Sequence, residues 1–262
     1  HVPSKDKRST TSTNMDTNLC VIGAGPTGIA ALVEASSQGI DAIGLEKADI
    51  SLASISAHMR GTTYLSRADH FELPGIPLDC PNASACRRED VLRYYHRVIN
   101  HSGIKIHTSS RCVSITPTSD SVLVSLEVAG RVELLRANFV IATNWYQPRQ
   151  VRIVGEGIAG NPPVFRGLRS AVEYLGDHVV VIGGGLSGIE FTRALIRSGH
   201  RVTVVARGSR TPIHDDRLFV TLVEQNRSEI VFGAREISLV PRGVSFVTNG
   251  RARTVYCDAV VT

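Results

Sequence analysis

The sequence predicts an α/β protein built from two similar units, each a parallel sheet flanked by helices, the second inserted into or following the first. Three observations predict it. A short apolar run, a glycine-rich turn and a helical stretch occupy Leu19–Gln38 and recur at Val179–Arg197. A second strand-like run follows each of them, at Asp41–Leu45 and at Arg201–Ala206. The chain of 262 residues, 42% hydrophobic and 20% charged, is long enough for one to two ordinary globular domains.

The elements follow in order. Residues 1–17 are rich in Ser, Thr and Asn and poor in large apolar groups, so a disordered tail is expected. Leu19-Cys20-Val21-Ile22 reads as a buried parallel strand. The turn Gly23-Ala24-Gly25-Pro26-Thr27-Gly28 leads into a helix over Ile29–Gln38, stopped by Gly39. Asp41–Leu45 is a strand ending at Glu46. Residues 48–85 are broken by Pro74, Pro77 and Pro81. Glu89–Asn100 forms an amphipathic helix with Val91, Leu92, Tyr95, Val98 and Ile99 on its apolar face. Strand-like segments follow at Ile104–His107, Val113–Thr116, Val122–Val128, Val132–Leu135 and Phe139–Ile141. The expected domains are therefore 18–150 and 176–262, joined by a Pro- and Gly-rich linker at 151–175. In the second, Val179–Ile182 is a strand, Gly183-Gly184-Gly185-Leu186-Ser187-Gly188 the turn, Ile189–Arg197 a helix ended by Gly199, and Tyr256–Thr262 a closing strand.

Composition excludes several classes. No stretch approaches the roughly 18 apolar residues a membrane helix needs. The formal net charge is +5, with arginines scattered rather than clustered, which reads as a basic surface and not as a nucleic-acid site. Five cysteines, an odd number without C-x-x-C spacing, exclude a disulfide framework and a tetrahedral zinc site, so no metal is expected. Cys20, Cys112 and Cys257 read as small core residues, and the cysteine usage points to a reducing, cytoplasmic setting. His96 and His101 read as surface residues, and Ser187 as a helix cap or phosphate contact.

Each G-x-G-x-x-G sits between a strand and a helix. The first glycine allows the tight turn, the second lets the backbone approach a pyrophosphate, and the third lets helix and strand pack closely. Free amides at the helix start then face the phosphates. Such units are Rossmann-like FAD/NAD(P)-binding folds of three-layer ββα form. Glu46 ends the first unit's second strand, where a carboxylate accepts hydrogen bonds from a ribose. In the second unit the corresponding place is assigned to Arg207, with Arg210 nearby, suited to a 2′-phosphate.

With FAD first and NADPH second, the chain resembles the flavoproteins with two dinucleotide-binding domains, which include thioredoxin reductases and flavin-containing monooxygenases. It is most similar to the bacillithiol-disulfide reductase branch. The stretches His58-Met59, Tyr64-Leu65-Ser66, Arg88 to Tyr95, Val140 to Thr143 and Val202 to Gly208 carry that likeness. The resemblance implies that Gly23, Ala24, Gly25, Pro26, Thr27 and Gly28 cradle the FAD pyrophosphate, with Glu46 and Lys47 at the ribose and Val113 at the adenine. His58, Thr63, Ser66, Ala142 and Thr143 would lie toward the flavin. Gly183, Gly185, Leu186, Ser187, Gly188 and Glu190 would serve the NADPH pyrophosphate, with Arg207 and Arg210 on the 2′-phosphate.

Three departures qualify the likeness. Thr27 stands where the branch places a redox cysteine, and no C-x-x-C precedes the second domain. The monooxygenase fingerprint F-x-G-x-x-x-H-x-x-x-Y keeps Phe165 and Gly167 but has Ala171 and Leu175 at its other positions. The family's closing Gly-Asp segment, which returns to the FAD domain, is absent from the sequence up to Thr262. The chain is then either a piece of a longer protein or one that holds FAD incompletely.

The leading expectation is an NADPH-dependent FAD oxidoreductase, with hydride passing from NADPH to flavin and then to a small acceptor such as a low-molecular-weight disulfide. A flavin-dependent monooxygenase acting on a small N- or S-containing substrate and a non-catalytic dinucleotide-binding module are the alternatives. No catalytic side chain is assigned. The expected partners are small molecules, not nucleic acid or membrane, with a homodimer left open.

Overall fold

The computed structural model describes residues 14–64, 66–80, 86–143, 152–171, 176–209 and 217–262. Contacts divide the chain into two compact units. One holds the described residues of 1–57 and 63–146, the other those of 58–62 and 147–262.

In the first unit, β1 (Asn14–Ile22) leads through the glycine turn into α1 (Pro26–Ser37) and β2 (Ala42–Leu45). The short α2 (Ala53–Ser56) and the long α3 (Arg88–Ser102) follow, then β3 (Lys105–His107), β4 (Ser110–Pro117), β5 (Val122–Val128) and β6 (Arg131–Ala142). They form a six-stranded sheet in the order β3-β2-β1-β6-β5-β4. β3, β2, β1 and β6 run parallel, while β4, β5 and β6 make an antiparallel meander. Leu19 and Val21 of β1 pack under Leu32 and Ala35 of α1. Cys20, Ile43 and Leu45, on the other face of the same strands, pack against Val124, Leu126, Leu135 and Ala137 of the meander. Helix, sheet and meander thus make three layers.

The expected tail gives way at Asn14. Residues 14–17 extend β1 because they pair with Leu134–Ala137 of β6, a long-range partner that local composition does not reveal. β6 is one strand of 12 residues where two short ones were expected. The apolar face of α3 includes Tyr94, 2% exposed, whose hydroxyl accepts the Leu73 N–H at 2.6 Å and donates to the Ile76 carbonyl at 2.7 Å.

The second unit repeats the plan. β7 (Val164–Phe165), β8 (His178–Ile182), α4 (Leu186–Arg197), β9 (Arg201–Val205), α5 (Arg217–Gln225) and β10 (Glu229–Val231) come first. Then come β11 (Arg235–Val240), β12 (Gly243–Thr248), β13 (Arg251–Tyr256) and β14 (Ala259–Val261). The five-stranded sheet has the order β10-β9-β8-β14-β7 and is wholly parallel. Its helix side buries Val179, Val181, Val202 and Val204 against Ile189, Leu195 and Val223. Its other side buries Val180, Val205 and Val260 against Leu239, Val244, Phe246 and Val255 of the three-stranded β11-β12-β13 sheet.

The stretch expected as a linker packs, over its described part, into this unit. Ile153 is buried in its core, the Leu239 N–H donates to the Val154 carbonyl at 2.7 Å, and β7 joins the sheet edge. The closing strand expected over 256–262 is divided, because Cys257 and Asp258 turn the chain between β13 and β14. Among the described residues, no helix is long and apolar enough to cross a membrane.

Candidate functional site

Both glycine turns lie at the carboxyl ends of parallel strands, where an open α/β sheet leaves room for a ligand. In the first, Gly23 has φ +102° and its N–H donates to the Leu45 carbonyl at 2.7 Å. Gly25 caps α1 in extended geometry, φ −82° and ψ −176°, with no side chain bonded to the helix start, and Pro26 opens the helix. Pro26 tolerates that place because its missing N–H has no intrahelical partner there. A Cβ on Gly28 would stand 1.8 Å from the Gly23 carbonyl oxygen, so only glycine lets helix and strand approach this closely. A Cβ on Gly25 would meet nothing nearer than Ser54 Oγ at 3.9 Å, which leaves open space over the turn.

Glu46 is 8% exposed. One of its carboxylate oxygens accepts the Ala24 N–H and the other the Ala48 N–H, both at 3.0 Å. Each oxygen keeps a further lone pair. The Ser110 N–H donates to the Glu46 carbonyl at 2.8 Å and brings the start of β4 beside it. The β4–β5 register shifts between Cys112 and Ser114, so Val113 is bulged out of pairing and half exposed. Thr143 follows β6 and donates its hydroxyl toward the Ile22 and Gly23 carbonyls, at 3.0 and 3.1 Å.

The second turn has the same backbone. Gly183 has φ +122° and donates to the Val205 carbonyl at 3.0 Å. Gly185 caps α4 with φ −79° and ψ −179°, again without a side-chain bond. A Cβ on Gly188 would lie 2.0 Å from the Gly183 carbonyl, and one on Gly183 or Gly185 would meet nothing within 4 Å.

This correspondence corrects two sequence assignments. Leu45 matches Val205, so Glu46 matches Ala206, and Arg207 stands one residue further, as the counterpart of Lys47. Ala206 is buried and Arg207 exposed. Ser187 does not cap α4, because it lies inside the first turn while Gly185 holds the cap position.

The remaining candidates divide by unit. Ala24 is buried, Pro26 half-buried, and Thr27, Lys47, Ser66 and Ala142 are exposed, while Thr63 bridges to Arg87. His58 belongs to the second unit. Leu186 and Ser187 are exposed, and Glu190 pairs with Arg193 at 3.3 Å within α4. Arg210 lies outside the described residues. Ser54, next to Gly25, and Ala206 were not singled out by sequence, because a lone serine or alanine carries no pattern.

Burial pushes the thiols of Cys20, Cys86 and Cys257 up to about 12, which leaves them protonated and poorly nucleophilic. All five cysteines are free thiols. His96 and His101 lie exposed on α3. No group of three or more His, Cys, Asp or Glu is placed to hold a metal among the described residues.

Residues 20–244 match the family model of the pyridine nucleotide-disulphide oxidoreductases. The bacilliredoxin reductase Bdr of Bacillus subtilis (strain 168) is 28% identical over 195 residues, covering 72% of this chain and 56% of that protein. Ferredoxin–NADP reductase 1 of Cupriavidus metallidurans is 22% identical, covering 83% of this chain and 60% of its own. The chain thus spans 56–60% of the length of these two relatives. Among solved structures, the bacillithiol disulfide reductase Bdr of Staphylococcus aureus superposes with TM-score 0.83 at 24% identity, over 95% of this chain and 76% of that one. A flavin-containing monooxygenase of Stenotrophomonas maltophilia gives 0.69 at 17%, over 94% and 77%. These likenesses show the two-domain dinucleotide-binding fold.

Proposed function

The chain belongs to the pyridine nucleotide-disulphide oxidoreductase family, and from that premise we propose that it is an NADPH-dependent FAD oxidoreductase whose acceptor is a small molecule of the low-molecular-weight disulfide class. One observation carries the reading. Two turns of the same backbone geometry differ at the residue beside them, a buried carboxylate at Glu46 in one and a buried alanine at Ala206 in the other, each followed by an exposed cation, Lys47 and Arg207.

The amides of the first turn and the start of α1 would hold the FAD diphosphate against the partial positive charge of the helix end. Glu46 would take the ribose hydroxyls on its spare lone pairs, and the bulged backbone at Val113 would meet the adenine. Lys47, Thr63, Ser66, Ala142 and Thr143 are our remaining assignments on this unit. Gly183 to Gly188 would hold the NADPH diphosphate, with Glu190 one turn along α4. Ala206 puts no carboxylate against a 2′-phosphate, and Arg207 stands one residue away to pair with it. Flavin and nicotinamide supply the redox chemistry when bound. The protein orients them and keeps their phosphates neutralised. The free cysteines fit a reducing, cytoplasmic setting. The names of the Bdr relatives support a disulfide-type acceptor.

The test is the visible absorption spectrum of the purified full-length protein, before and after anaerobic NADPH. A flavin band that NADPH bleaches and a small disulfide restores is expected. Protein that takes up no FAD and consumes no NADPH overturns the reading. NADPH use that yields an oxygenated product moves it to the monooxygenase class.

A further inference from the structure

At the end of the second unit's sheet opposite the glycine turn, a cleft of about 270 Å³ is lined by His178, Arg201, Thr203, Arg227, Glu229 and Arg253, among others. His178, Arg201 and Glu229 are the first residues of β8, β9 and β10. The turn follows the last residue of β8, Ile182, four strand steps or roughly 13 Å away. The cleft is therefore separate from the nucleotide turn.

Its polar groups are ordered into a chain. Arg201 donates to His178 Nδ1 at 2.6 Å. A guanidinium only donates, so Nδ1 accepts and Nε2 carries the hydrogen. Nε2 lies 2.9 Å from Thr203 Oγ1, and the Thr203 hydroxyl then points to Glu229 Oε1 at 3.4 Å. Arg253 donates to the same carboxylate oxygen. His178 is 7% exposed, and burial followed by the Arg201 charge hold its imidazole below the usual 6.5, so it is neutral near pH 7.

The charges do not balance. Three guanidinium groups face the cleft against one carboxylate, Glu229. Asp258, the other carboxylate whose charge reaches His178, is occupied by the backbone N–H groups of Asp177 and His178. Arg227 has no ion-pair partner among the described residues. It also sits at φ +53°, a left-handed conformation that favours glycine and that arginine adopts at a cost.

We infer that this cleft is an anion site, taking a phosphate group, free or carried by a small organic molecule, on Arg201, Arg227 and Arg253. Guanidinium groups meet phosphate oxygens through paired, charge-assisted hydrogen bonds, and an anion relieves the mutual repulsion of the three cations. The volume exceeds what one phosphate needs, which leaves space for an attached organic group.

The test uses thermal unfolding and calorimetric titration of the full chain with inorganic phosphate and with ribose 5-phosphate, against chloride at matched ionic strength. Phosphate is expected to raise the midpoint beyond the chloride control. Arg227→Gly removes the guanidinium and relieves the backbone, so it should raise the midpoint of the ligand-free protein yet weaken phosphate at least tenfold. Glu229→Gln removes the opposing charge and should tighten it. Arg131→Ala, an exposed arginine at the start of β6 in the other unit, should leave it unchanged. Tighter binding of ribose 5-phosphate identifies an organic phosphate as the occupant, and equal binding a free phosphate. A response no larger than chloride, one that survives Arg227→Gly, or one lost with Arg131→Ala overturns the inference.

Discussion

The two glycine turns share a backbone and differ in what closes them. Gly23 and Gly183 take the same left-handed φ, Gly25 and Gly185 the same extended cap, and Gly28 and Gly188 the same close approach to a carbonyl. In the first unit Thr143, after β6, ties the turn by bonding the Ile22 and Gly23 carbonyls, and Glu46 ties it again through the Ala24 amide. In the second unit the place of Glu46 is an alanine, Ala206, so no carboxylate ties that turn. One backbone device can thus serve two ligands, because the diphosphate is read by amides and the rest by the side chains at the strand ends.

The largest effect should come from the shared feature. Gly28→Ala and Gly188→Ala force a methyl to within about 2 Å of a carbonyl oxygen. Each should cost about 3 kcal/mol in urea unfolding. A turn that tolerates the alanine would show that the two backbones differ after all. Next, Arg207→Ala should weaken NADPH roughly 10- to 100-fold, from about 1.5–3 kcal/mol of charge-assisted bonding, while NADH binding stays level. Equal losses for both nucleotides would remove Arg207 from the 2′-phosphate. Third, Glu46→Gln replaces an acceptor oxygen with an amide that faces a backbone N–H. About 1–2 kcal/mol of stability and part of the FAD affinity should go, with NADPH affinity unchanged. The smallest effect is pH. His178 titrates below 6.5 in the fold, so the unfolded chain binds the proton more readily and stability is complete only above about 6.5. Stability should fall as the pH drops from there toward the depressed native value. His178→Gln should flatten that slope in unfolding curves taken between pH 5 and 7.5.

Much of this plan was legible in the sequence. Both turns, their strands and Glu46 follow from local pattern, since an apolar run, fixed glycines and a helical period sit within some 30 residues. The helix starts fall at Pro26 and Leu186 rather than at Ile29 and Ile189, because Pro and Gly inside the first turn hide a helix whose cap is itself glycine. Arg207 was set one place early because the strand was read through Ala206, and only the Gly183–Val205 hydrogen bond fixes the register. The meander β11–β13 escaped notice. Its inward Val244, Phe246 and Val255 alternate with polar groups over short spans, and their partners are distant in sequence. The cleft at His178 was equally hidden, since its arginines come from β9, the turn between α5 and β10, and β13.

The most direct measurement is a calorimetric titration of the full-length protein with FAD and NADPH, each alone and each in the presence of the other, repeated with Arg207→Glu. One equivalent of each, bound without displacement, is predicted, with the variant losing NADPH and keeping FAD. Competition between the two dinucleotides for one place, or loss of both in the variant, would contradict the assignment of one turn to each.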